Sequence, residues 1–125
     1  MYNDLHKKLK SYNLNYWNSQ GVLLLNTSLT VRESSPRSHI KYWMPLIGNI
    51  IKDLLNQNPD IIVFLWGTFS QKLFHSLDIN YRKEFVFKAN HPSPLSANRG
   101  GWFHSKHFSN SNNLLVKIGK LPIEW

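Results

Sequence analysis

Short apolar segments alternate with amphipathic ones along this chain, and that alternation limits the fold more than any other feature. The apolar segments are residues 21–26, 61–65 and 84–88. Runs of this length, bounded by glycine or polar residues, are typical of strands buried on both faces of a parallel sheet. Apolar residues at helical spacing cover residues 42–56 and 69–77 between them. Strands that alternate with helices predict an α/β fold with a parallel sheet of about three strands.

The ends of the chain carry weaker signals. Residues 2–10 predict a short helix with a basic face, and residues 11–19 predict a loop with at most one helical turn. Residues 110–118 predict a final helix that Gly119 ends, because glycine adopts the positive φ common after a helix. Residues 121–125 are expected to form a tail. A chain of 125 residues is the length of one domain.

A proline- and serine-rich segment, residues 90–101, follows the last predicted strand. Because proline fixes φ and lacks a donor, Pro92 and Pro94 predict a stiff, extended loop rather than a helix. The hydroxyl and N–H groups of Ser93 and Ser96 are suited to bind phosphate. Leu95 lies between them, and an apolar side chain held outward beside phosphate-binding groups is suited to enter a base stack as a wedge.

The amino-acid composition favours some kinds of binding partner and excludes others. The formal net charge is +8 and aromatic residues make up 14% of the chain, which favours nucleic acid or an acidic protein that mimics it. Cysteine is absent from the sequence, so disulfides and thiolate metal sites are excluded. The sequence has no apolar run of the roughly 20 residues that span a bilayer, so no membrane partner is expected. The cytoplasm or nucleoid is the expected location.

Residues 91–96, with the sequence HPSPLS, resemble the leucine loop of the family 1 uracil-DNA glycosylases, and we use that name for them. Residues 21–31, 63–68, 105–109 and 122–125 resemble further segments of the family, in the same order. The resemblance implies an α/β three-layer sandwich around a short parallel sheet. The expected architecture is therefore a single truncated uracil-DNA glycosylase-like domain over residues 1–125.

The resemblance also implies roles for two residues that follow predicted strands. Asn26 would read the edge of a flipped uracil, because a fixed amide presents both a donor and an acceptor. His91 would donate a hydrogen bond to negative charge that develops on a uracil carbonyl. The alternatives are an asparagine that caps a turn at a strand end and a histidine that fixes the loop.

A larger set of residues resembles the family's DNA-backbone contacts. For any single lysine or arginine among them, the alternative is a solvated surface group. We expect no metal and no cofactor, since no carboxylate or cysteine joins His104 and His107 at ligand spacing. The expected DNA-binding residues are Gly67, Thr68, Pro92, Ser93, Pro94, Leu95, Ser96, Arg99 and Lys106.

The family's water-activating motif, Gly-Gln-Asp-Pro-Tyr-His, does not occur in this sequence. In the family it precedes the region that matches Met1, in a segment that also supplies a central strand. We therefore expect residues 21–26 to pair directly with residues 61–65, or a partner to supply the strand. The chain is either naturally short or a fragment.

These observations lead to competing hypotheses. The first is a catalytically inactive, glycosylase-derived protein that binds DNA, a replication or repair partner such as a DNA polymerase, or both, because the leucine loop is retained without the catalytic motif. The second is a decoy that binds the acidic, DNA-mimicking inhibitors of uracil-DNA glycosylases. The third is a slow uracil-DNA glycosylase that needs a partner chain. The sequence favours the first.

Overall fold

The computed structural model describes residues 13–125, so the helix predicted at residues 2–10 lies outside the described part. No helix in residues 13–125 is long and apolar enough to cross a membrane. The regular elements, in chain order, are helices α1 (Leu14–Asn18) and α2 (Ile40–Gln57), strand β1 (Val63–Trp66), helix α3 (Thr68–Ser76), strand β2 (Val86–Ala89) and helices α4 (Pro94–Ala97) and α5 (His107–Lys117).

Backbone contacts divide the chain into two compact units. The central unit is Leu25–His91, and the terminal unit combines the residues up to Leu24 with Pro92–Trp125. The central unit contains α2, β1, α3 and β2, and the terminal unit contains α1, α4 and α5. The assignment of residues 1–125 to a single domain stays a prediction.

The sheet of the central unit is a parallel pair of strands, β1 and β2, joined through α3. Val63 lies opposite Val86, and Trp66 lies opposite Ala89. Each strand begins two residues later than predicted, at 63 instead of 61 and at 86 instead of 84. For β1, one reason is that the carbonyl of Ile61 accepts a hydrogen bond from the Tyr81 hydroxyl at 2.5 Å. Burial raises the pKa of that hydroxyl above its ordinary value of 10.0, so it remains a donor.

The prediction of a strand at residues 21–26 is wrong. This segment has no regular secondary structure, and the side chains of Leu23 and Leu24 are 60% and 49% exposed. The described sheet therefore has two strands rather than three, and the predicted pairing of residues 21–26 with residues 61–65 does not form. An apolar run becomes a strand only where a neighbouring backbone offers a ladder, which composition cannot show.

The core of the central unit lies where α2 packs on α3. Ile47, Leu73 and Leu77 are buried there. Gly48 permits the close approach, because a Cβ at this position would lie 2.9 Å from Cδ2 of Leu77. The helices predicted at residues 42–56 and 69–77 are confirmed within two residues, although α2 begins at Ile40, so that Pro45 lies further inside the helix than predicted. Further apolar side chains pack against this core from Leu25, Trp43, Met44, Ile51 and Ile79.

The C-terminal segment of the terminal unit is anchored by side-chain amides. The amide of Asn112 donates to the carbonyl of Ile123 and accepts from its N–H, both at 2.9 Å. Gln20 makes the same double pairing with the backbone of Glu124, at 3.2 and 2.8 Å. The predicted tail at residues 121–125 has no regular secondary structure, but it is held in place, because two side chains satisfy backbone groups that would otherwise bond to water.

Trp125 completes this anchoring. Its side chain is 5% exposed, and its ring lies edge-on to Phe108 at 4.9 Å and to Trp17 at 5.5 Å between centroids. Phe108 belongs to α5, which begins at His107, three residues before the predicted start at residue 110. The apolar core of the terminal unit is thus an aromatic cluster, and edge-to-face packing adds to the free energy gained by burial.

We expect Trp125→Ala to lower the free energy of unfolding by about 3–5 kcal/mol, because it leaves a large cavity between the buried ring of Phe108 and the half-buried ring of Trp17. Urea denaturation followed by circular dichroism measures this change. The matched control is Leu121→Ala, since Leu121 is 88% exposed and close in sequence. Equal losses in the two variants would show that Trp125 does not stabilise the unit through its packing.

Candidate functional site

The carboxyl ends of β1 and β2 bring Gly67 and His91 together. The N–H of Gly67 donates to the carbonyl of Ala89 at 2.9 Å, and Gly67 has a φ of +93°. A Cβ at position 67 would lie 3.2 Å from Cβ of His91 and 3.6 Å from its Cδ2. Glycine is required here on two grounds, because only glycine adopts this φ without strain and any side chain would press on the histidine.

Gln71 is a positioning residue that sequence reasoning missed. From the first turns of α3, its Nε2 donates to the carbonyl of Leu65 at 3.3 Å and to that of Ala89 at 3.0 Å. One amide therefore joins the ends of both strands directly beside Gly67 and ahead of His91. Its position four residues after Gly67 places it on the helix face above the strand end, but helical spacing cannot show which carbonyls it contacts.

Thr68 begins α3 immediately after Gly67 and is exposed. The first N–H groups of a helix have no partner within the helix, and the helix dipole favours negative charge there. The hydroxyl of Ser70 donates back to the carbonyl of Gly67 at 2.9 Å, which tightens the turn. This end of the sheet has the chemistry expected of a phosphate contact.

Asn26 is exposed and lines an open cavity of about 500 Å³ in the central unit. Arg32, Arg37 and Phe69 line the same cavity, which we call the arginine cavity. Phe69 directly follows Thr68 in α3, so the helix that begins after Gly67 contributes to this cavity as well. The placement of Asn26, Gly67, Thr68 and His91 in a single cleft stays a prediction.

The leucine loop contains a short helix, and the prediction of an extended loop is wrong on this point. Residues Pro94–Ala97 form α4. The carbonyl of Ser93, just before this helix, accepts hydrogen bonds from the N–H groups of Ser96 at 2.9 Å and Ala97 at 2.8 Å. Proline at the first helical position costs no hydrogen bond there and already has the helical φ. Pro94 therefore begins a helix instead of preventing one.

Leu95 extends from this helix into solvent with 83% of its side chain exposed. The sequence predicts that Leu95 faces outward, and in the structure it does. Ala97, on the same helix, faces inward and is 3% exposed. Pro92 and Ser93 precede the helix and are half-buried, which anchors its entry. Leu95 is thus an exposed leucine on a short helix that begins with proline, and this arrangement has the form of a wedge.

Two cations of the terminal unit stand near this helix in the sequence and are exposed. The N–H of Arg99 donates to the carbonyl of Ser96 at 3.1 Å, so its backbone continues the turn that α4 begins. Lys106 precedes α5 with a φ of +53° and accepts at its carbonyl from the N–H of Asn110. Among residues 13–125 no cluster of three or more histidine, cysteine or acidic side chains is suited to hold a metal ion.

Sequence comparison identifies the family. Residues 2–116 match the sequence model of the Uracil DNA glycosylase superfamily, which is most of the chain. The chain belongs to the uracil-DNA glycosylase superfamily. The short parallel sheet with surrounding helices is the fold that membership implies, so the predicted α/β class is confirmed with two described strands in place of three.

Relatives within the superfamily match almost the entire chain. The uracil-DNA glycosylase of Flavobacterium johnsoniae is 44% identical over 98% of this chain and 55% of its own length. That of Fusobacterium nucleatum is 42% identical over 100% of this chain and 57% of its own length. That of Acinetobacter baylyi is 45% identical over 93% of this chain and 48% of its own length. The chain thus spans about half the length of these relatives.

These relatives overturn the functional hypothesis favoured from the sequence. A catalytically inactive protein that acts as an accessory subunit or an inhibitor decoy is contradicted, because proteins 42–45% identical to nearly all of this chain are named as the enzyme. The classification of the chain as a non-enzyme was therefore wrong. That classification rested on the absence of one motif from the sequence, whereas the matches to these enzymes extend along nearly the whole chain.

We expect Gln71→Leu to lower the free energy of unfolding by about 1–3 kcal/mol and to displace the NMR signals of the His91 ring, because two strand-end carbonyls lose their shared donor. Gln57→Leu is the matched control, since Gln57 is exposed at the end of α2. Unchanged His91 signals in Gln71→Leu would contradict a positioning role.

Proposed function

We propose that this chain acts in the removal of uracil from DNA by hydrolysis of the N-glycosidic bond. The observation that carries the proposal is the match of nearly the whole chain to proteins named uracil-DNA glycosylase. The local geometry agrees with it, because the strand ends present a histidine against a glycine turn and the terminal unit presents an exposed leucine. In this reaction the bond between C1′ of the sugar and N1 of uracil breaks, a water oxygen bonds to C1′ as a hydroxyl group, and the proton released from that water passes to uracil.

His91 would stabilise the leaving group. When the bond breaks, its electron pair passes to uracil, and negative charge develops on a carbonyl of the ring. A donor fixed in advance stabilises such charge without reorganisation. Gly67 lets His91 lie close to the strand end, because a side chain at position 67 would press on the histidine, and the amide of Gln71 bonds the end of the strand that leads to it.

Asn26 would read the base. Its amide can donate to one edge group of uracil and accept from another, which together distinguish uracil from cytosine. Its exposure on an open cavity of about 500 Å³ leaves room for a flipped nucleotide to reach it. The cavity size is within the range of small-ligand pockets.

The remaining predicted residues would hold the DNA. Leu95 would fill the space in the base stack that the flipped nucleotide leaves, because its exposed side chain gains by burial between bases. Backbone and hydroxyl groups at Gly67, Thr68, Ser93 and Ser96 would bind phosphates. Arg99 and Lys106 would add positive charge, and Pro92 and Pro94 would stiffen the segment.

We expect the wild-type chain to release uracil from an oligonucleotide that contains one deoxyuridine, and His91→Ala to reduce the rate about 10²–10³-fold through loss of the preorganised donor. Alkaline cleavage of the abasic product, resolved on a denaturing gel, measures the rate. The matched control is His75→Ala, an exposed histidine at the end of α3. No release by the wild-type chain, or equal rates in both variants, would overturn the proposal.

We expect Leu95→Ala to slow release from duplex DNA about tenfold and to leave release from single strands unchanged. Only the duplex requires a base to be unstacked, at a cost of a few kcal/mol that the wedge offsets. The control is Leu121→Ala, which removes an equally exposed leucine, 88% against 83%, outside the leucine loop. A loss that is equal on both substrates would show that Leu95 is not a wedge.

A further inference from the structure

The arginine cavity of the central unit has a composition suited to a negatively charged, ring-containing ligand. Arg32 and Arg37 line it together with the hydroxyl-bearing Ser34, Ser35 and Thr27. Among the described residues that line it, none is acidic. The lining side chains therefore carry a net positive charge, and every polar side chain among them can donate a hydrogen bond.

An aromatic platform lies in the same cavity. The guanidinium of Arg37 lies 5.2 Å from the ring centroid of Phe69, and 41% of the Phe69 side chain is exposed. Guanidinium and phenyl groups both stack on nucleobases, and base stacking on such groups does not depend on sequence. The guanidinium of Arg37 lies over the phenyl ring, so this cation–π pair brings two groups that can stack on a base to the cavity wall, and Arg32 adds a second cation there.

The loop that carries the arginines is held in shape by its own hydrogen bonds. The N–H of Arg32 donates to Oγ of Ser38 at 2.8 Å, and its carbonyl accepts from the N–H of Ser35 at 3.0 Å. Ser34 and Arg37 both have positive φ, at 54° and 66°. Backbone conformations this uncommon for residues other than glycine persist only where the surroundings impose them. The arginines are therefore presented from a preformed turn.

We propose that the arginine cavity binds one nucleotide of a single DNA strand, with the base stacked on Phe69 and Arg37 and a phosphate on the arginines. A single strand is required because a stacked, paired base cannot reach an aromatic platform on the protein. This inference rests on the proposed action on DNA and extends it. Because Asn26 lines the same cavity, the bound nucleotide would be a neighbour of the uracil that Asn26 reads.

The test uses a fluorescein-labelled, single-stranded oligonucleotide without uracil, so that its result does not depend on uracil release. Fluorescence anisotropy gives the affinity at several salt concentrations. The plot of log affinity against log salt concentration has a negative slope. Each lost phosphate contact is expected to reduce the magnitude of that slope by about 0.7 for single strands. Arg32→Gln and Arg37→Gln should each show this change. Phe69→Leu should weaken binding at least about fivefold with an unchanged slope, because it removes stacking but no charge.

The matched control is Lys83→Gln, which removes one exposed positive charge of the same unit at the amino end of β2, away from the carboxyl end that leads to His91. It should leave the slope unchanged. Wild-type slopes in both arginine variants would overturn the inference, as would wild-type affinity in Phe69→Leu. An equal fall of the slope in Lys83→Gln would also overturn it, by showing that general surface charge binds the strand. Circular dichroism spectra equal to that of the wild-type chain establish that each variant is folded.

Discussion

The carbonyl of Ala89 is the group on which the candidate site depends. It accepts one hydrogen bond from the N–H of Gly67 and a second from the side chain of Gln71. Each strand of the sheet has four residues, and a two-stranded sheet of that size is not stable alone. The hydrogen bonds to the Ala89 carbonyl hold together the carboxyl end of the sheet, where Gly67 and His91 come close to each other. The helices α2 and α3 supply the burial that the strands lack.

Rigidity at that end has a chemical consequence. A hydrogen-bond donor stabilises a developing charge only to the extent that it is already in place when the charge appears. His91 lies so close to the turn at Gly67 that a Cβ added at position 67 would be 3.2 Å from the Cβ of His91. The same contact makes Gly67 irreplaceable on steric grounds, independently of any role in phosphate binding.

Leu95 illustrates an opposite arrangement, in which a side chain is kept out of the protein interior. Burial of a leucine is worth about 1.5–3 kcal/mol, so an 83% exposed leucine forgoes most of that free energy in the free protein. The helix α4 presents it from a first turn that begins with Pro94. Ala97, on the same helix, contributes the burial that holds the turn. The exposed leucine gains its free energy only when another molecule covers it.

Several features could be predicted from the sequence because their causes are local. Helical periodicity located α2 and α3 within two residues, and the order of strands and helices predicted the parallel pairing. Two prolines closely precede Leu95 in the sequence, and the stiffness they impose predicts that Leu95 faces outward. The same prolines also predict an extended loop in place of a helix, although proline is compatible with the first turn of a helix. Local preference alone could not decide between these outcomes.

Other features have causes that lie far away along the chain, and only the tertiary structure decided them. Residues 21–26 have the composition of a strand but no ladder partner in the described sheet. Trp125 is buried because Trp17 and Phe108, at distant positions, surround it. Gln71 acts at the site because α3 places its amide between two carbonyls 18 and 6 residues away. The sequence by itself determined the fold class and the residues available for chemistry, since periodicity and side-chain identity are local properties. The tertiary structure decided which backbone groups and rings meet, because hydrogen bonding and burial depend on partners that no local pattern specifies.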